Sequence, residues 1–180
     1  MKKNVIVFGL IAGAIVSIFM VLGMANCIDT ANFDHSMVLG YASMLIAFSF
    51  VFVGIKNFRD KHNAGMISFG KAFTTGLWIT LIASTIYVLV WLVDYYYFIP
   101  DFMDKYSAHI IEQAKSSGVS AAELDEKVTE MASFKEMYKN PLMVVLFTYM
   151  EILPVGLLIT LISALILKKK VKSPNDISPA

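Results

Sequence analysis

Cysteine is nearly missing from this sequence, and so is any grouping of residues that would hold a metal. Cys27 stands alone, which excludes an intramolecular disulfide, and three scattered histidines make no zinc or haem ligand set. No cofactor is expected. The lysines and arginines show no base-reading or stacking spacing and the net charge is only +1, so nucleic acid is not an expected partner. Catalytic sets are missing as well. No Ser/His/Asp arrangement or aligned pair of acids occurs, and Gly65-Met66-Ile67-Ser68-Phe69-Gly70-Lys71 lacks the spacing and the lysine-hydroxyl pair of a phosphate loop. His109 and Glu112, one helical turn apart, read as solvated surface. An enzyme is not expected.

What is present is apolar. Hydrophobic residues make up 57% of the 180 residues, against roughly 45–50% in soluble domains. Four stretches, 5–25, 37–55, 72–93 and 142–167, are long enough to cross a bilayer at about 20 residues per span. Within lipid the backbone must satisfy its own hydrogen bonds, so all four read as helices. The pattern predicts an all-α membrane protein, one domain over 1–180, with four transmembrane helices in an up-down bundle.

Lys and Arg in short flanks stay on the cytoplasmic side. Lys2 and Lys3 precede the first span, Lys56, Arg59, Lys61 and Lys71 lie between the second and third, and Lys168, Lys169, Lys170 and Lys172 follow the fourth. Both termini are therefore expected in the cytoplasm, with the chain in a bacterial inner membrane. The loop set Lys56, Arg59, Lys61 and Lys71 is a candidate cytoplasmic interface, serving either orientation on anionic lipid or a partner. Gly65 and Gly70 are read as turn positions that return Phe69 and Phe73 to the membrane surface. The opposite side holds 26–36, with Asp29 and Asp34, and 94–140, with nine acids and five lysines. A signal-peptide reading of the first span is disfavoured, because its apolar core exceeds the roughly 7–15 residues of such a region. Asn26 likewise spoils a lipoprotein cleavage site before Cys27.

Segment 94–140 is expected to form an extracytoplasmic two-helix hairpin between the third and fourth spans. Phe102, Met103, Tyr106, Ile110 and Ile111 mark one apolar face, with Pro100 in the first turn. Ser116, Ser117 and Gly118 break the pattern. Ser120 and Glu123 then form a capping box, and Leu124, Val128, Met131, Phe134 and Tyr138 line the second helix. Trp91 and the run Asp94-Tyr95-Tyr96-Tyr97-Phe98 read as an aromatic belt. Small residues spaced four apart, Gly9-Gly13-Ser17, Gly76-Thr80-Ser84 and Gly156-Thr160-Ala164, would let helices approach closely, within one bundle or across a homodimer seam.

Glu151 is the one formal charge inside the four stretches. The fourth span is centred near Pro154, so at 1.5 Å per residue Glu151 lies roughly 5 Å to the outer side of the midplane. Ser17, Ser43, Ser84 and Thr85 fall at a similar depth. Pro154 cannot donate to the Met150 carbonyl, which bends the helix and frees an acceptor beside the acid. A charged acid at mid-bilayer costs at least about 2.5–3.5 kcal/mol, and no span offers a basic partner. The neutral, protonated form is expected. Glu151, Pro154, Ser43, Ser84 and Thr85 are thus a candidate intramembrane site, binding a proton or substrate, or simply bonding the bundle together.

The motifs GIKNFRDKHNAGMISFGKAFTTGL and EILPVGLLITLISALILKKK resemble a Bacteroidota family of small four-helix membrane proteins, DUF4199-like, a domain of unknown function. The resemblance runs over nearly the whole chain. It implies a retained first span, an inner-membrane location and a shared fold, and it brings no activity. Two functional readings remain: a cell-envelope accessory or scaffold protein whose outer hairpin faces a protein partner, and an oligomeric small transporter or channel subunit that uses Glu151.

Overall fold

The computed structural model describes residues 1–30 and 33–169. These form six α-helices: α1 (Lys2–Thr30), α2 (Phe33–His62), α3 (Phe69–Val93), α4 (Phe102–Ser116), α5 (Ala121–Tyr138) and α6 (Pro141–Leu167). A single π-turn, Asp94–Phe98, follows α3, and no strand occurs among the described residues beyond an isolated bridge between Ile67 and Lys169. Four helical segments are long and apolar enough to cross a membrane: Lys2–Cys27, Val38–His62, Phe69–Phe98 and Pro141–Leu167. Their outward sides are apolar, with Leu10, Leu22, Leu45, Trp78, Leu89, Leu158 and Ile166 exposed. That is the pattern of a surface solvated by lipid tails.

The helices run past the apolar stretches that announce them. α1 continues to Thr30 and α2 starts at Phe33, so the expected loop 26–36 is mostly helix, with residues 31 and 32 outside the described part. Hydropathy marks the lipid-embedded part of a helix, not the polar turns that extend it. Lys170 and Lys172 also lie outside the described residues.

Close approach is built on the small-residue stripes. A Cβ placed on Gly9 would come within 2.7 Å of Ile82, and one on Gly13 within 2.6 Å of Ile86, so α1 lies tightly on α3. Gly76 faces Thr160, and Gly156 faces Thr80 and Phe48, which brings α3 against α6 with hardly room for a methyl group. The Thr80 and Thr160 hydroxyls share a hydrogen bond of 2.9 Å at this seam. All three stripes are used inside the chain. Phe48, Val51, Ile55, Ile79 and Ile152 fill the buried centre.

At the lysine-rich end, Asn4 donates to the Gly54 carbonyl at 2.9 Å and ties α1 to α2. The α2–α3 loop turns through Ala64 and Gly65, with φ of 52° and 75°. Gly65 adopts this left-handed conformation freely, whereas Ala64 carries some strain there. Gly70, expected at a turn, sits instead in the first turn of α3, after the Ser68 cap. Ile67 and Lys169 exchange backbone hydrogen bonds of 3.1 and 2.9 Å, which fastens this loop to the end of α6.

At the other end, α4 and α5 pack as a helical hairpin with an ion pair between Lys135 and Asp104. Gly118 makes the turn with φ of 71°. The Ser120–Glu123 capping box is present, with the Glu123 carboxylate accepting from the Ser120 backbone at 2.8 Å. Those bonds hold the Glu123 carboxyl below its ordinary pKa. Pro100 precedes α4 instead of lying in its first turn, because the π-turn and the following Ile99–Phe102 turn consume that stretch of chain. Val128 is exposed and leaves the apolar face that Met131, Phe134 and Tyr138 keep. The belt also divides: Tyr96, Tyr97 and Phe98 face outward, while Trp91 and Tyr95 turn into the core.

Candidate functional site

The hairpin does not stand clear of the bundle. Phe102 and Tyr106 from α4 and Phe134 and Tyr138 from α5 turn down onto Phe33, Trp91 and Phe147 of the long helices. The Trp91 and Phe102 rings meet edge to face with centroids 5.1 Å apart, and Tyr138 stacks on Phe147 at 5.7 Å. Such pairs contribute about 0.5–1.5 kcal/mol each beyond the area they bury. They roof a partly enclosed cavity of about 260 Å³. Its wall takes Met20 from α1, Tyr41 and Ser43 from α2, Tyr87 and Trp91 from α3, and Glu151 from α6.

Glu151 is thus the acid of an aromatic chamber. It is an exposed residue that lines the cavity. The Tyr87 hydroxyl stands beside it on the cavity wall and acts on its carboxyl. Among the described residues no lysine, arginine or histidine pairs with it. Burial pushes the Tyr138 phenol up to about 12, with the carboxyl of Glu151, when ionised, adding to the effect. Tyr106 is raised for the same reason, burial first and then Glu130.

The sequence-derived site is only partly assembled. Ser43 does line the cavity with Glu151, although its hydroxyl donates to the Gly40 carbonyl at 2.7 Å. Pro154 lies one turn beyond Glu151 within a continuous α6. Ser84 is buried elsewhere, and among the described residues its hydroxyl has no hydrogen-bond partner; Ser17 is in the same state. Thr85 points away from the acid, pairing with the Leu81 carbonyl at 2.8 Å and the Tyr149 hydroxyl at 2.9 Å on an exposed face. His109 is not freely solvated, since its ring lies 5.0 Å from that of Phe33. The partner that residue spacing missed is Tyr87, one turn along from Ser84.

A buried hydroxyl left without a partner costs about 1–3 kcal/mol of desolvation, so removing it should do no harm. Ser84→Ala is expected to leave thermal stability in detergent unchanged or raise it by about 1 kcal/mol. A clear loss of stability would mean that Ser84 does bond within the bundle.

The basic set divides as well. Arg59 pairs with Asp60 at 2.7 Å and reaches the Leu167 carbonyl at 3.4 Å, while Lys71 donates to Asn63 at 2.9 Å and lies 5.4 Å over the Phe58 ring. Lys56 and Lys61 are exposed. Two of the four cations therefore fasten the end of the bundle.

Among the described residues no cluster of His, Cys, Asp and Glu could hold a metal ion. The profile of the family described as "Protein of unknown function (DUF4199)" matches residues 7–169. The chain belongs to the DUF4199 family. The matched range takes in the hairpin, Tyr87 and Glu151, together with the first motif and all but the last residue of the second, so the cavity is built wholly from the DUF4199 region. No curated protein and no solved structure matches the chain. What can be said of this DUF4199 protein's chemistry comes from the cavity.

Proposed function

We propose that this is an integral membrane protein that holds a small, largely apolar molecule beneath the α4–α5 hairpin, with Glu151 and Tyr87 as the polar anchor. One observation carries this reading: the single acid of the apolar stretches 5–25, 37–55, 72–93 and 142–167 lines an aromatic cavity of about 260 Å³. An apolar pocket with a few convergent polar groups is the usual form of a small-molecule site. The cavity favours the ligand-handling reading over the scaffold reading. The hairpin turns its aromatic side inward, and its outer charges largely pair among themselves, as in Lys105–Asp101, Lys127–Glu130 and Lys139–Glu136.

The bundle is up-down, the hairpin is extracytoplasmic, and both termini face the cytoplasm of a bacterium across its inner membrane. Two features support this arrangement. Gly76 meets Thr160 while Gly156 meets Thr80, an order that runs in opposite directions along α3 and α6. Ten of the 15 lysines and arginines flank the span ends away from segment 94–140 in the sequence.

The test is to fill the chamber. Gly23 and Gly40 line it, and a Cβ on either meets no atom within 4 Å. Native mass spectrometry of the protein extracted in mild detergent should show a bound small molecule, lost in Gly23→Leu and Gly40→Leu while both variants stay folded. Equal retention by the filled variants would contradict the reading.

A further inference from the structure

We propose that the cavity takes a lipophilic organic cation, about the size of a benzyl group carrying a quaternary ammonium, which pairs with Glu151 in exchange for the proton of the empty site. This rests on the reading of the cavity as a ligand site and names the class of ligand.

Three features point to a cation. The acid has aromatic surroundings and no cationic partner among the described residues, so a cationic ligand would supply the charge that none of them brings. Tyr87, Trp91, Tyr106 and Tyr138 all stand on the wall, and an aromatic face attracts an organic cation, the more so when desolvated. The smallest hydroxyl on the wall is engaged, since Ser43 donates to the Gly40 carbonyl, and the Tyr87 hydroxyl stands beside Glu151. An anion would meet the carboxyl and the negative faces of the rings. Size agrees: a cavity of about 150 Å³ holds benzene, so about 260 Å³ takes a benzene ring with a compact charged head.

The exchange is a proton transfer with no redox step. The Glu151 carboxylic acid gives its proton to water, and the carboxylate and the organic cation form an ion pair that is neutral overall. Other titratable groups face the same space: Tyr41 from α2, Tyr87 from α3, Tyr106 from α4 and Tyr138 from α5, with His109 one turn beyond Tyr106. α1 contributes no titratable side chain to the wall. Burial raises Tyr106 and Tyr138, so neither is a source of protons near neutrality.

Trp78 is exposed on the lipid side and Trp91 lines the cavity, and these are the only tryptophans of the chain. A Trp78→Phe protein in uncharged lipid nanodiscs therefore reports on the chamber through Trp91. Benzyltrimethylammonium is titrated in weakly buffered solution, with the uncharged isostere neopentylbenzene as competitor. The expected result is saturable binding of the cation, release of a proton on binding, and an affinity that rises about tenfold per pH unit while Glu151 holds its proton. Glu151→Gln should abolish the proton release and weaken the cation at least tenfold. Cation binding without proton release, binding unchanged in Glu151→Gln, or equal binding of the isostere would each overturn the cation assignment and leave the cavity reading standing. If neither molecule binds, both fail.

Discussion

Gly156→Val is expected to lower the stability of the folded bundle by about 1–3 kcal/mol, the usual cost of overpacking a filled interior. The reason is local. A Cβ at position 156 would overlap the methyl of Thr80 and come within 2.8 Å of the Phe48 ring. Phe48 is fully buried, and Thr80 is held by its hydrogen bond to Thr160, so neither can move aside without opening the α3–α6 seam. In lipid no hydrophobic drive would push the helices back together, because the tails are as apolar as the side chains. Close packing is what remains, and valine removes it. Gly70→Ala is the matching control, since a Cβ there meets nothing within 4 Å. Unfolding in mixed detergent should therefore separate the two variants, and similar midpoints would show that the seam is not tightly packed.

Alkali should act on the hairpin. The Tyr138 phenol is pushed from an ordinary value of 10.0 to about 12, chiefly by burial. Below pH 10 both the folded and the unfolded chain keep this proton, and Tyr138 adds nothing to the pH dependence. Between about pH 10 and 12 the unfolded chain loses the proton while the folded chain keeps it, so stability falls with rising pH. At 1.36 kcal/mol per unit, the full shift is a loss of at most about 3 kcal/mol. Tyr138→Phe should remove most of that alkaline slope while keeping the ring contacts with Phe134 and Phe147. Denaturation profiles of the two proteins at pH 9 and above that run parallel would contradict the buried position of this phenol.

Local features were easy to read from the sequence, and tertiary ones were not. The four spans follow from uninterrupted apolar runs, and the Ser120–Glu123 box from two residues whose spacing is its geometry. The family resemblance rested on contiguous motifs and was legible for the same reason. The cavity is different. Its wall comes from residues as distant as Tyr41, Trp91, Tyr106, Tyr138 and Glu151, and no periodicity within one helix records that they converge.

Depth alone does not decide why Ser43 lines the cavity with Glu151 while Ser84 and Thr85 do not. Rise per residue fixes how deep a side chain lies, but each residue also turns the helix by about 100°, and depth says nothing of that angle. Thr85 has the right level and faces Tyr149; Tyr87, three residues from Ser84, reaches the acid. Tyr87 carries its hydroxyl on a longer side chain than the serines and threonines that depth picks out. Trp91, expected at the membrane interface because aromatic residues cluster after it, instead meets Phe102 of the hairpin and forms cavity wall.

The ligand proposed for the cavity requires that Glu151 be uncharged beside Tyr87 when the site is empty. Infrared spectroscopy of the protein in lipid at neutral pH decides this. A carboxylic-acid carbonyl band that disappears in Glu151→Gln and shifts in Tyr87→Phe is the predicted result. A carboxylate band in its place, lost in Glu151→Gln and indifferent to Tyr87→Phe, would contradict it.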